Sequence, residues 1–103
     1  MTSSGAPSQM VGTVPGATPL ARATRLAGAL AEMSITRLEL APEGGAPRVL
    51  RARETDLPRE IAAMQRGRLT PAGLEAAFII SPDHIEWTAF TAEAAGVLRA
   101  RFA

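Results

Sequence analysis

The segment "FIISPDHIEWTAF", residues 78–90, decides the fold because it fits two different structures. In the first, residues 81–84 form a type I turn between two strands, since proline fixes φ near the value that the second turn position requires. In the second, Ser81 is the N-cap of one long helix that reaches Phe102. The hairpin is favoured, because "FII" is typical of a strand and residues 85–88 alternate apolar with polar side chains.

The hairpin interpretation also assigns faces to the one tryptophan and the one histidine of the chain. Trp87 and Ile85 then point to one side of the sheet and His84 to the other. We expect Trp87 to lie in the core, where a ring of this size buries roughly 200 Å². A last helix is predicted to begin after Thr91, whose hydroxyl suits an N-cap.

Two further helices are predicted upstream. The first begins at Pro19 with Thr18 as its N-cap, and the second runs from an N-cap at Asp56 to a C-terminal glycine, Gly67. The first helix has an apolar stripe of Ala23, Leu26, Leu30 and Met33 opposite Arg22, Arg25 and Glu32, and the second has a stripe of Leu57, Ile61 and Met64.

Between these helices, residues 35–53 are predicted to form another β-hairpin. The connecting segment "APEGGAP", residues 41–47, has two glycines flanked by prolines, which is a strong turn signal. The flanking segments alternate, so that Leu38, Leu40, Leu50 and Ala52 share one face and Arg37, Glu39, Val49, Arg51 and Arg53 share the other.

The predicted order of elements is α-β-β-α-β-β-α, an α+β fold. Two β-hairpins would form a four-stranded antiparallel sheet with about three helices on one face, leaving the other face partly open. Residues 1–18 are rich in Gly, Ser, Thr and Pro and carry no charge, so we predict a flexible N-terminal tail. Residues 19–103 would form a single domain.

Composition excludes several kinds of chemistry. The chain of 103 residues has no cysteine and no lysine, which excludes disulfides, thiol nucleophiles, Schiff-base lysines and the lysine of a phosphate-binding loop. We predict no cofactor. Eleven basic residues that are all arginine indicate a GC-rich, bacterial genome. Without a basic leader or a long apolar run, we expect a cytoplasmic protein that does not enter a membrane.

The sequence predicts a partner-binding surface more readily than an active site. Arginine forks suit phosphate and carboxylate recognition, and the face with Arg37, Arg51 and Arg53, together with nearby Arg48, is the predicted partner-binding surface. A solvated sheet face is the alternative for these arginines. His84 has only Asp83 and Glu86 near it in sequence, too few groups for a metal site and typical of a surface histidine.

We therefore expect a non-catalytic protein-interaction module, a small accessory subunit of a larger assembly or of a homo-oligomer. A protein that binds RNA or DNA through the arginine-rich sheet face is the alternative, although a net charge of +1 provides no strong attraction for nucleic acid. A small enzyme that uses His84 is the third hypothesis.

Overall fold

The structure, a computed structural model, describes residues 10–41, 46–53, 55–64, 67–71 and 75–102. These residues form a small α+β domain with three helices and an antiparallel sheet. In chain order the elements are β1 Met10–Val14, α1 Pro19–Glu32, β2 Arg37–Ala41, β3 Arg48–Arg51, α2 Leu57–Ala63, β4 Gly67–Pro71, β5 Ala76–Ile80, β6 Ile85–Ala89 and α3 Ala92–Phe102.

The sheet has six strands in the order β1-β6-β5-β4-β2-β3, and every neighbouring pair is antiparallel. The predicted number of four strands and the predicted order of elements are therefore wrong. The two additional strands are β1, which lies inside the segment predicted to be a flexible tail, and β4, which follows α2 directly. The strand β1 pairs with β6, and β4 joins the two predicted hairpins by pairing with β2 and β5.

The hairpin interpretation of residues 78–90 is confirmed. Strands β5 and β6 pair from Ala76 opposite Ala89 to Ile80 opposite Ile85, and the Ser81 N–H donates to the His84 carbonyl across the turn. The long helix that would have started at Ser81 is absent from this described segment. The last helix begins where predicted, because the Thr91 hydroxyl accepts a 3.0 Å hydrogen bond from the Ala94 N–H.

The two earlier helices begin as their capping residues predict. Thr18 accepts from the Ala21 N–H at 3.0 Å, and Asp56 accepts from the Arg59 N–H at 3.2 Å. Gly67 was predicted as the residue that ends α2, and this is wrong, since it is the buried first residue of β4. The loop 42–45 of the first hairpin and residues 65–66 lie outside the described residues.

All three helices pack on one face of the sheet. A single core cluster contains buried side chains of each helix together with the inward residues of the strands. One row of this inward face crosses from β2 to β1 through directly paired positions, namely Leu40, Leu69, Phe78, Trp87 and Gly12.

Trp87 lies in that row and is 4% exposed, as the hairpin interpretation predicts. The indole lies over β1 at Gly12, where a side-chain Cβ would overlap the ring. Glycine is therefore required at this position for close approach, because any larger residue would displace the ring or the strand.

Candidate functional site

The second face of the sheet is covered by none of the three helices. Its side chains come from alternate positions of all six strands and are exposed or half-buried. We call this surface the open face; it consists of Val11, Thr13, Arg37, Glu39, Val49, Arg51, Arg68, Thr70, Ala77, Ile79, Glu86 and Thr88, together with Phe90 just beyond the end of β6.

One end of the open face carries the predicted arginines. Arg37 on β2 lies directly opposite Arg51 on β3 in the strand register. Arg53, just beyond the end of β3, lines one shallow depression together with these two arginines and with Thr36. The structure thus brings Arg37, Arg51 and Arg53 together, and we call them the arginine cluster. Like charges directly opposite each other in a sheet repel.

Arg48 is not part of this cluster. It pairs with Leu40 in the strand register, so it shares the helix-covered side of the sheet with Leu50. Its guanidinium forms a 2.9 Å ion pair with Glu60 of α2. Arg48 therefore links β3 to the helix layer, and a partner that covers the arginine cluster would not reach it from the same side.

The opposite end of the open face is apolar, a feature that the sequence analysis missed. Val11, Ile79 and Phe90 are 69%, 40% and 40% exposed. They line one groove with Arg68 and Glu86 at its sides. We call Val11, Ile79 and Phe90 the apolar patch. Only the pairing of β1 with β6 brings Val11, which lies opposite Thr88, to the same groove as Ile79 of β5.

His84 lies at the β5–β6 turn between two carboxylates. Its Nδ1 is 2.8 Å from Asp83 Oδ1, and its Nε2 is 3.4 Å from Glu86 Oε2. The hydrogen bond to Asp83, and next the one to Glu86, raise the pKa of His84, and the same contact with His84 lowers the pKa of Asp83. Within the described part of the chain, no group of three or more His, Cys, Asp or Glu residues is arranged to hold a metal ion.

Arg22 was predicted to lie on the polar face of the first helix, and this is wrong. The side chain is only 6% exposed. Its Nη1 donates to the Gly16 carbonyl at 3.0 Å, and its Nη2 donates to the Pro82 carbonyl at 2.6 Å. Helical periodicity marks the direction in which a residue leaves the helix, but a long arginine can fold back and be covered by loops.

No family model, curated protein or solved structure matches this chain. None of the helices in the described ranges is long and apolar enough to cross a membrane.

Proposed function

We propose that this chain is a non-catalytic protein-interaction module that binds an acidic partner on its open face, as an accessory subunit of a larger assembly. The observation that carries the proposal is that one uncovered sheet face holds both the apolar patch and, toward its other edge, the arginine cluster. Apolar contacts supply binding energy, whereas charges direct the encounter and fix the orientation of the partner.

The apolar patch supports a macromolecular partner. Single exposed apolar side chains are normal, but contiguous ones rimmed by polar residues mark interaction sites. Val11, Ile79 and Phe90 are exposed and line one groove together with the polar side chains of Arg68, Glu86 and Thr88.

The arginine cluster supports an acidic surface on that partner. The register opposes Arg37 to Arg51, and Arg53 lies at the same depression. Carboxylates of a partner would offset the repulsion among the three guanidinium groups, and Arg forms bidentate hydrogen bonds with carboxylates.

Nucleic acid is the second candidate partner, and the same arginine cluster favours it. The phosphates of a nucleic-acid backbone would offset the repulsion among the guanidinium groups, as carboxylates would. Among the described residues, Phe90 is the one exposed aromatic side chain on the open face, so contacts would be mainly to phosphates.

The test is the double variant Arg51→Glu with Arg53→Glu. We expect an unchanged fold, because both side chains are exposed, together with loss of the proteins that co-purify with the wild type in stoichiometric amount. The matched control is Arg25→Glu with Arg99→Glu, which changes net charge equally on exposed positions of the helix layer and should retain those partners.

Two results would reject the proposal. One is a folded double variant that recovers the same partners as the wild type. The other is retention of the wild type on nucleic acid with an affinity that falls steeply as salt rises, since that slope reports phosphate contacts and would establish the second candidate instead.

A further inference from the structure

We propose that Arg22 anchors a binding site for a small carboxylate with an apolar body, in the pocket between the start of α1, the end of α2 and the turn 81–84. This site lies on the helix-covered side of the sheet, apart from the open face. It therefore does not depend on the proposed partner-binding function.

Arg22 is a buried cation without a carboxylate partner among the described residues. The side chain is 6% exposed, and no ion pair joins it to any of the described residues. Its Nε is buried and has no hydrogen-bond acceptor there. Asp83 is close enough for the Arg22 charge to lower its pKa, but its carboxylate is directed to His84 at 2.8 Å. Buried charges are ordinarily paired, so a bound anion would supply what this site lacks.

Two main-chain carbonyls hold the guanidinium in place. Nη1 donates to Gly16 and Nη2 to Pro82, which joins the loop after β1 to the β5–β6 turn. A Cβ at Gly16 would come within 2.7 Å of Arg22 Cγ, so glycine allows this close approach. The guanidinium has more N–H donors than these two carbonyls use, and its fork geometry suits the two oxygens of a carboxylate. Because the side chain is already fixed, an anion that binds it loses little affinity to ordering.

Most of the side chains that line the Arg22 pocket are apolar, although its exposed lining is almost as polar as it is apolar. Its volume is about 220 Å³. Drug-sized ligands occupy pockets of roughly 300–1,000 Å³, so this one suits a smaller molecule. One cation beside aliphatic side chains suits a small anion with a short apolar body. The aliphatic side chains at the pocket include Pro19, Ile61, Ala62, Met64, Ile80 and Ile85.

Hexanoate is a suitable probe, with hexanamide as its uncharged control. In the ¹H–¹⁵N spectrum of the full chain, the buried Arg22 Nε–H gives a side-chain signal that reports directly on the guanidinium. We expect hexanoate to shift this signal and the backbone amide signals of Ser81, Asp83 and His84 in a saturable way. Hexanamide should bind at least about tenfold more weakly, because the guanidinium then donates to an uncharged amide oxygen instead of a carboxylate.

Two variants test the site from different directions. Arg22→Lys keeps the charge but loses the fork, and hexanoate should bind at least about tenfold more weakly. Should this variant not fold, Ala63→Phe remains informative, because Ala63 is an exposed residue at the pocket and a larger side chain there narrows it. Hexanoate binding should then be lost although the Arg22 contacts are intact. Arg25→Met removes an exposed arginine of the same helix and should change nothing.

The alternative is that Arg22 serves only to fasten the two loops to α1. In that case hexanoate would leave the Nε–H signal unmoved at millimolar concentration, or hexanoate and hexanamide would bind equally. Equal hexanoate affinity of the Ala63→Phe variant and the wild type would also overturn the proposal.

Discussion

The two faces of the sheet are built from the same strands and differ in almost every other respect. On β5, Phe78 is fully buried while its neighbour Ile79 is 40% exposed. On β6, Trp87 is buried while Thr88 lies on the open face. Side chains of a strand alternate between faces, so a single residue separates a position in the core from a position on a partner-binding surface. The stability of this domain should therefore depend on one face and its interactions on the other.

The largest expected effect is at Trp87, on the covered face. Trp87→Ala should lower the free energy of unfolding by about 3–5 kcal/mol, because it removes a large buried side chain from the row that crosses the sheet. Thr88→Ala, the adjacent residue on the open face, should change it by less than about 0.5 kcal/mol. Urea unfolding of both variants measures the difference, and similar losses for the two would show that the faces are energetically alike.

A smaller but still large effect is expected at the β1 edge of the covered face. Gly12→Val should cost about 1–3 kcal/mol, because its side chain would overlap the indole of Trp87. Thr13→Val exchanges one β-branched residue for another of similar size on the open face and should be nearly neutral. Amide exchange should accelerate at the β1–β6 pairing only in Gly12→Val, and equal protection in both variants would contradict the close packing of the indole on β1.

The same edge changes the expectation for the N-terminal segment. From the sequence alone, deletion of Met1 to Gly16 should leave stability nearly unchanged. In the structure this deletion would remove Val14, which is 1% exposed, and the strand that covers Trp87. We now expect a loss above about 1 kcal/mol in denaturant unfolding. An unchanged midpoint would show that β1 contributes nothing to the core.

Local signals account for what the sequence predicted correctly. The turn at 81–84 and the caps at Thr18, Asp56 and Thr91 are each determined within a few residues, and all are present in the structure. Two glycines with prolines beside them likewise marked the β2–β3 hairpin, in which Leu38 lies opposite Leu50 and Arg37 opposite Arg51, on the predicted faces.

Pairing between distant segments explains what the sequence did not predict. The partner of β1 is β6, at the other end of the chain, and the apolar side chains of β1 are too few to mark a strand without it. The short strand β4 contains Arg68 and begins at a glycine, so it resembled the end of a helix. The position of Arg22 depends on such a distant contact, because its guanidinium donates to the Pro82 carbonyl. The apolar patch depends on another, because β1 contributes Val11 to it.

A modest gain in stability is expected at the end of α1, in the helix layer. Ser34 has a positive φ of 61°, and the Ile35 N–H donates to the Leu30 carbonyl, as in a Schellman motif. Glycine adopts this conformation without the steric cost that serine bears, so Ser34→Gly should raise the free energy of unfolding by about 0.5–1 kcal/mol. Thr36→Gly, also exposed but outside the motif, should lower it. A destabilised Ser34→Gly variant would show that the serine side chain contributes more than the strain costs.

The smallest expected effect concerns the charges at the turn, next to the open face. His84, Asp83 and Glu86 are all substantially exposed, so their contacts should alter titration more than stability. Asp83 first, and then Glu86, raise the pKa of His84 above its ordinary 6.5, and His84 lowers the pKa of Asp83 below 3.8. The contribution of protonated His84 is complete below its unfolded pKa and is lost as pH rises through its folded pKa. The contribution of Asp83 is present above its unfolded pKa and is lost as pH falls through its folded pKa. The cluster therefore stabilises the fold most between the ordinary pKa values of Asp83 and His84, 3.8 and 6.5.

Because the chain has one histidine, NMR titration of the imidazole C–H follows His84 directly. Asp83→Asn should return the pKa of His84 toward 6.5, more than Glu86→Gln does, because the bond to Asp83 is the larger cause. A wild-type pKa at or below 6.5, or equal shifts in the two variants, would show that the 2.8 Å contact between His84 and Asp83 is not maintained in solution.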